Sequence, residues 1–171
     1  MTPTFTIITA TGGRNTLLRT LESLALQLRD GDEIMVERRD NVPWGNATRD
    51  EAIKRAAGSH LWWMDDDDVA TPDALAIIRE AVAQDPGTVH IFKMDRGREG
   101  ILWDEPKVVL SHIGGTMCVV PNIPGKLGSW VHTKHNPPGK AGDFEFLVGT
   151  LELLEREPIF HEEIIAVIRP E

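Results

Sequence analysis

Leu61-Trp62-Trp63-Met64-Asp65-Asp66-Asp67-Asp68 decides the reading of this chain: four apolar residues run directly into four carboxylates. An apolar run of that length predicts a strand buried on both faces, as in a parallel sheet covered by helices. Upstream, residues 5–10 form a β-branched run that stops at Gly12-Gly13. Leu17, Leu18, Leu21, Leu24, Ala25 and Leu28 then recur at helical spacing. Residues 33–37 read as a second strand. Asn46 is the expected N-cap of a helix carrying Ala52, Ile53, Ala56 and Ala57, with Gly58 as its C′ residue. Downstream, Thr71-Pro72 predicts a helix start, and Leu75, Ile77, Ile78, Ala81 and Val82 give that helix its inner face. Residues 89–92 make a fourth strand. The order β-α-β-α-β-α-β predicts an α/β protein with a mostly parallel central sheet flanked by helices.

The second half is less regular. Residues 108–110 and 117–120 read as strands, residues 121–140 as a long loop rich in Pro, Gly and His, and Phe144, Leu147, Val148, Leu151 and Leu154 as one more helix. A last strand is expected over 164–168. A loop of that length inside a compact domain is usually functional.

With 171 residues, 41% of them hydrophobic and 26% charged, the chain is expected to form one domain over 1–171 with a proper core. Eighteen Lys and Arg against 27 Asp and Glu give a formal charge of −9, a field poorly suited to nucleic acid. The lone Cys118 excludes an intrachain disulfide and any multi-cysteine zinc site, and suits a reducing compartment. No apolar run approaches the roughly 20 residues of a membrane span, and residues 1–5 carry no basic leader. The expectation is a soluble cytoplasmic protein.

Ligands of open α/β sheets bind at the carboxyl ends of the strands, where residues 65–68 fall. Adjacent carboxylates repel, and a divalent cation relieves that repulsion. Oxygen-only ligation suits Mg2+ or Mn2+, with substrate phosphates completing the shell. The plainer alternative is a solvated acidic turn. A helix–loop–helix calcium site does not fit, because Val69 and Ala70 stand where that loop needs a carboxylate or amide and then glycine.

Residues 6–14 (Thr-Ile-Ile-Thr-Ala-Thr-Gly-Gly-Arg), Thr20-Leu21-Glu22-Ser23-Leu24, the segment 45–58 and Trp63-Met64-Asp65-Asp66-Asp67-Asp68 together resemble the nucleotide-sugar half of family-2-like GT-A glycosyltransferases. The resemblance implies a single GT-A-like, Rossmann-like domain, with residues 1–94 binding the donor and 95–171 forming the acceptor and catalytic half. It implies an Asp-x-Asp at Asp65-Asp66-Asp67, with Asp67 on the metal, Asp65 on the ribose or the metal, and Asp66 beside the nucleotide sugar. Thr9, Ala10 and Thr11 lie where the family lines the base and ribose, although Thr-Ala-Thr-Gly-Gly-Arg departs from the family's usual run. Gly12 and Gly13 permit close backbone approach. Arg14 is a phosphate contact or an exposed arginine. Glu37 and Asp40 are rival acidic contacts to the nucleotide. Arg49 matches a position facing the nucleotide, against a surface pairing with Asp50 or Glu51.

Gly142-Asp143-Phe144-Glu145-Phe146 resembles the acidic motif carrying the catalytic base of inverting members. The resemblance implies Asp143 as base, with Glu145 as the fallback; an Asp at a helix start is also a preferred N-cap. Gly114-Gly115-Thr116 matches the loop near the transferred sugar, which places Gly115 at the donor. Some GT-A enzymes add a C-terminal histidine to the metal shell, and His161 is the candidate here, against a core or solvated histidine. His132 and His135, with Lys134 and Lys140, could clamp phosphate or acceptor. Trp44, Trp103 and Trp130 are candidates to stack on sugar or base, whereas Trp62 and Trp63 read as core.

These expectations define a glycosyltransferase dependent on Mn2+ or Mg2+, moving a sugar from a nucleoside-diphosphate sugar, UDP-sugar favoured, to an acceptor hydroxyl. The acceptor is not legible. The short chain leaves little to build its pocket, so residues 121–140 or a partner subunit, including a second copy, would complete it. Two rivals stand beside this reading. One is a nucleotidyltransferase, weakened because no lysine follows Gly12-Gly13-Arg14 before Lys54; the other is a non-catalytic nucleotide-sugar-binding module.

Overall fold

The expected central strands all form, and they join one eight-stranded sheet that takes strands from both halves of the chain. The computed structural model describes residues 2–38, 45–103, 105–131 and 142–170. The elements are β1 (Phe5–Thr11), α1 (Leu17–Ala25), β2 (Glu33–Arg38), α2 (Asn46–Ile53), β3 (His60–Trp63), β4 (Val69–Ala70), α3 (Ala74–Gln84), β5 (His90–Asp95), β6 (Ile101–Leu102), β7 (Cys118–Pro121), α4 (Gly142–Leu154) and β8 (Ile159–Val167). The strand order is β2-β1-β3-β7-β5-β8-β4, with β6 paired to β5. Strands β2, β1, β3, β5 and β8 share one direction. β7 runs against β3 and β5, β4 against β8, and β6 against β5. The sheet is therefore mixed, with most strands co-directional as expected.

Sheet and helices enclose a continuous apolar core built around Phe5, Ile7, Ile8, Trp62, Trp63, Ile78, Phe92, Val119 and Phe146. Trp62 and Trp63 are core residues, as the apolar run implied. Every residue of β1 and β3 is buried, which is why these strands read as unbroken apolar runs instead of alternating ones.

Several local expectations give way to packing. α2 starts at Asn46 itself, preceded by Gly45 at φ 68°, and ends at Ile53, well before Gly58. Gly58 serves a different purpose: a Cβ there would lie 2.4 Å from the Thr6 backbone nitrogen, so only glycine lets the chain press against β1. α3 begins two residues after Pro72, and the Thr71 hydroxyl donates to the Ile164 carbonyl (3.0 Å) instead of capping the helix. Residues 108–110 do not join the sheet. β8 starts five residues earlier than the apolar pattern suggested, because His161, Glu162 and Glu163 interrupt its hydrophobicity.

α1 and the turn that follows it fasten the stretch after β3 with three polar side chains. Thr20 Oγ1 donates to the Asp68 carbonyl (2.7 Å), Ser23 Oγ accepts the Ala70 N–H (3.0 Å), and Gln27 bonds both the Thr71 carbonyl and the Leu75 N–H. Among the described residues, no helix is long and apolar enough to cross a membrane.

Candidate functional site

The carboxyl ends of β1, β3, β5 and β8 share one edge of the sheet, and β7, running oppositely, brings its leading residues 114–117 to the same edge. Residues 65–68 leave β3 there with alternating burial. Asp66 turns inward, 3% exposed, and accepts the Thr11 hydroxyl (2.7 Å) and the Gly12 N–H (3.3 Å). It braces the loop after β1 from inside. Gly13, at φ 85°, closes that loop and donates its N–H to Thr11 Oγ1 (2.9 Å). Asp65, Asp67 and Asp68 instead converge, each with one ligand atom within 4.8 Å of the others. Three converging carboxylates form an oxygen-only donor set that fits a hard divalent cation. Asp68 was missed in the sequence because Asp-x-Asp spacing selects its neighbours.

Asp68 is buried, and its Oδ1 accepts the Arg169 backbone N–H (3.2 Å) while Thr116 Oγ1 lies 3.4 Å from Oδ2. Burial first, then the charge of Asp65, push its carboxyl up to about 7. Guanidinium groups hold the rest of the run. Arg49 Nη2 lies 2.5 Å from Asp65 Oδ1. Arg14 pairs with Asp67 and stands 3.4 Å from Asp66, and Arg169 Nε donates to the same Asp67 oxygen at 3.0 Å. Arg169, one residue beyond the expected last strand, carried no sequence signal.

Opposite the acidic run, α2, α4 and residues 114–117 meet. A Cβ on Gly142 would strike the Asn46 side-chain amide at 2.3 Å, so the start of α4 sits against the start of α2. One on Gly115 would lie 3.0 Å from the Trp130 ring and 3.8 Å from Asp143 Cβ. Asp143 is half-buried and accepts the Phe144 N–H (2.9 Å). Burial raises its carboxyl above the ordinary range; Asp65 pushes it further, and the Phe144 N–H and Arg49 oppose the rise. Glu145 is buried two residues further along α4, on a different side of the helix. Trp130 is stacked on Phe146 at 5.0 Å and carries the Arg49 guanidinium 4.8 Å from its centroid. With its ring so occupied, it supports Arg49 and is not open to a sugar. Asp50, the next residue of α2, grips the same segment by accepting the Ser129 hydroxyl (2.7 Å) and the Trp130 N–H (2.9 Å).

Other expected residues are distributed as follows. Thr9 and Ala10 are buried at the end of β1, and Thr9 Oγ1 has no partner among the described residues. Glu37 accepts from Arg55 (2.8 Å) at the end of β2. Asp40, Trp44, His132, Lys134, His135 and Lys140 lie outside the described residues. Lys54 is exposed and paired with Glu51. Trp103 is buried against Phe160.

His161 is not brought to the carboxylates. It lies early in β8, stacked on Phe92 at 4.5 Å and bonded through Nε2 to His90 Nδ1 (2.9 Å). Its place is the opposite edge of the sheet, where His90 and His60 begin their strands. The expected metal role fails on this geometry, since a ring held in a histidine–aromatic stack at one end of β8 is out of reach of a cluster beside the other end.

An acidic cluster at a strand mouth, an arginine-lined loop and an acidic helix start opposite it define a GT-A-like α/β domain. The sequence pattern of glycosyl transferase family 2 matches residues 31–157, more than half of the chain, and the chain belongs to that family. Similar solved structures include S. aureus TarS 1-349, with 14% identity and a TM-score of 0.66 over 96% of this chain and 60% of that one. TarS 1-349 in complex with UDP-GlcNAc matches at 13% identity and TM-score 0.69, over 98% of this chain and 59% of that one. Its complex with UDP matches at 13% and 0.61, over 96% and 60%. At these identities the likeness is one of fold, and the chain spans about 60% of those TarS chains. A comparison with curated proteins finds no match.

Proposed function

We propose that this protein transfers a sugar from a nucleoside-diphosphate sugar, with a UDP-sugar as donor, to an acceptor hydroxyl, by a divalent-metal-dependent inverting displacement. The observation that carries the reading is the convergence of Asp65, Asp67 and Asp68 on one edge of the sheet, with Asp143 across from them and electrostatically coupled to Asp65. The family match and the fold shared with UDP-bound and UDP-GlcNAc-bound TarS support a nucleotide-sugar donor. Mn2+ or Mg2+ held by the three carboxylates would supply charge neutralisation for the departing diphosphate.

The end of β1 and the loop after it bind the donor: Thr9, Ala10 and Thr11 form the buried floor under base and ribose, and Gly12-Gly13 let the backbone approach the ligand. Glu37 lies at the end of the neighbouring strand on the same side. Gly115 lets Trp130 and Asp143 pack closely against the loop before β7, beside the place proposed for the sugar. Asp143 takes the acceptor's proton as the hydroxyl oxygen attacks the anomeric carbon, and its raised affinity for protons makes it a stronger base than an ordinary carboxylate. A groove of about 690 Å³ between α2 and residues 122–131 is lined by Asp50, Lys54, Asn122 and Ser129 and is the place proposed for the acceptor.

The test is calorimetric titration of UDP and GDP, with Mn2+ and with chelator, into wild type and Asp67→Ala. Metal-dependent binding of UDP, lost in the variant, is expected. Failure of both nucleotides to bind the wild type would return residues 65–68 to a solvated acidic turn.

A further inference from the structure

Three arginines meet the acidic run, and they are held in two different ways. Arg49 is fixed: its side chain is 10% exposed, it is stacked on Trp130, and it faces Asp65. Arg14 and Arg169 are exposed, with side chains 44% and 71% accessible, and both reach Asp67 Oδ2. Two guanidinium groups on a single carboxylate oxygen repel each other, and one carboxylate is a poor counter-charge for both. Exposed pairs of this kind are weak and easily exchanged.

We infer that Arg14 and Arg169 hold Asp67 only until a divalent cation takes that carboxylate, and then pass to the diphosphate of the donor. This deepens the proposed function and rests on its donor class. The backbone around each arginine is built for such an exchange. Arg169 donates its N–H to Asp68 Oδ1, and Ile168 donates to the Asp95 carbonyl (2.8 Å), so the segment stays in place when the side chain leaves. Arg14 follows a loop anchored from beneath by Asp66 through Thr11 and Gly12. The charges point the same way. Four carboxylates face three guanidinium groups here, and a divalent cation leaves the cluster with surplus positive charge. A diphosphate, with more acceptor oxygens than one carboxylate, satisfies two guanidinium forks together. Arg169 is thus a positioning residue for the leaving group, supplied from just beyond the last strand, and Arg14 is its counterpart just beyond the first.

The exchange gives a signature that a purely structural role does not. Mn2+ alone and then UDP or UMP in saturating Mn2+ are titrated into wild type, Arg14→Gln, Arg169→Gln and Arg169→Lys, with thermal melts to confirm folding. Removing a competing guanidinium should tighten Mn2+ binding about two- to five-fold, the range an exposed ion pair is worth. UDP binding should weaken by about ten-fold or more, as for loss of a hydrogen bond to a charged group, and UMP binding should change far less. Arg169→Lys keeps the charge without the fork and should fall between, which preserves the test if the Gln variant folds poorly. Wild-type affinity for UDP in both Gln variants overturns the exchange, as does parallel weakening of Mn2+ and UDP. A wild type that binds no UDP overturns the donor reading itself, and the exchange with it.

Discussion

The guanidinium of Arg49 lies 4.8 Å from the centroid of Trp130 and, on its other side, reaches Asp65. Through this contact Trp130 fixes the orientation of a group that meets the acidic run after β3. Replacing Trp130 by Ala removes the cation–π contact and the Phe146 stack together, with an expected cost of about 3–5 kcal/mol in chemical denaturation. Trp130→Phe retains an aromatic face and should lose much less. In the folded variants, UDP affinity should fall for Ala and recover largely for Phe; an Ala variant with wild-type affinity would separate Trp130 from the donor site.

Gly115 stands between that ring and Asp143, with no room for a methyl group on the Trp130 side. Gly115→Ala forces the Trp130 ring to shift, and overpacking of this kind costs about 1–3 kcal/mol. UDP binding and turnover should both drop, because the displaced ring carries Arg49. Differential scanning calorimetry and a comparison of turnover with UDP affinity check both parts.

Much of the first half of the chain was legible because its signals are local. The apolar strands, the acidic run after β3, the glycine loop and Arg49 each sit within a few residues of the feature that reveals them. Asp68 and Arg169 were not legible, since their roles depend on β8 meeting β4 some 100 residues apart in sequence, as the Arg169 N–H to Asp68 bond shows. Trp130 was read as a possible stacking surface, but only packing reveals that Arg49 and Phe146 occupy its ring. His161 illustrates the opposite error: proximity to the chain's end suggested the metal, and the register of β8 with β5 carries it to the far edge. Residues 108–110 have strand-like composition, yet they stay outside the sheet.

The pH dependence of turnover tests the role of Asp143. A base must be deprotonated to act, so the rate rises with pH through its pKa. Burial and Asp65 hold that carboxyl above the usual value of about 3.9. The acid limb of kcat should therefore lie above the ordinary carboxylate range. Asp143→Asn should abolish turnover with UDP binding retained, whereas Glu145→Gln should leave the limb where it is. Retained turnover in Asp143→Asn would pass the assignment to Glu145, and a binding module would show no turnover in any form.

Two buried histidines, His60 and His90, and the half-buried His161 predict a second pH effect, on stability. His90 Nε2 faces the Asp85 carbonyl (2.9 Å), which can only accept, so this nitrogen carries the proton and Nδ1 accepts from His161. His60 Nε2 likewise donates to the Pro86 carbonyl (3.0 Å). Burial lowers the pKa of all three, and protonating His90 Nδ1 would also break its bond to His161. Because the folded values lie below the unfolded value near 6.5, the unfolded chain takes up protons first as pH falls. The histidines therefore stabilise the fold fully above about pH 6.5 and less as pH drops through their lowered pKa values, at roughly 1.4 kcal/mol per unit of depression. Denaturation midpoints should decline from pH 7 towards pH 5, and His90→Gln should flatten that decline.

β8 enters the sheet between β5 and β4, and β4 has no other strand partner among the described residues. During synthesis on the ribosome the first strands emerge long before this one, and β5 and β4 must wait with the place between them unfilled. The carboxylates after β3 therefore acquire their final arrangement only when the end of β8 delivers Arg169 beside them. A nascent chain stopped short of residue 159 would carry every acidic ligand and still lack an assembled site.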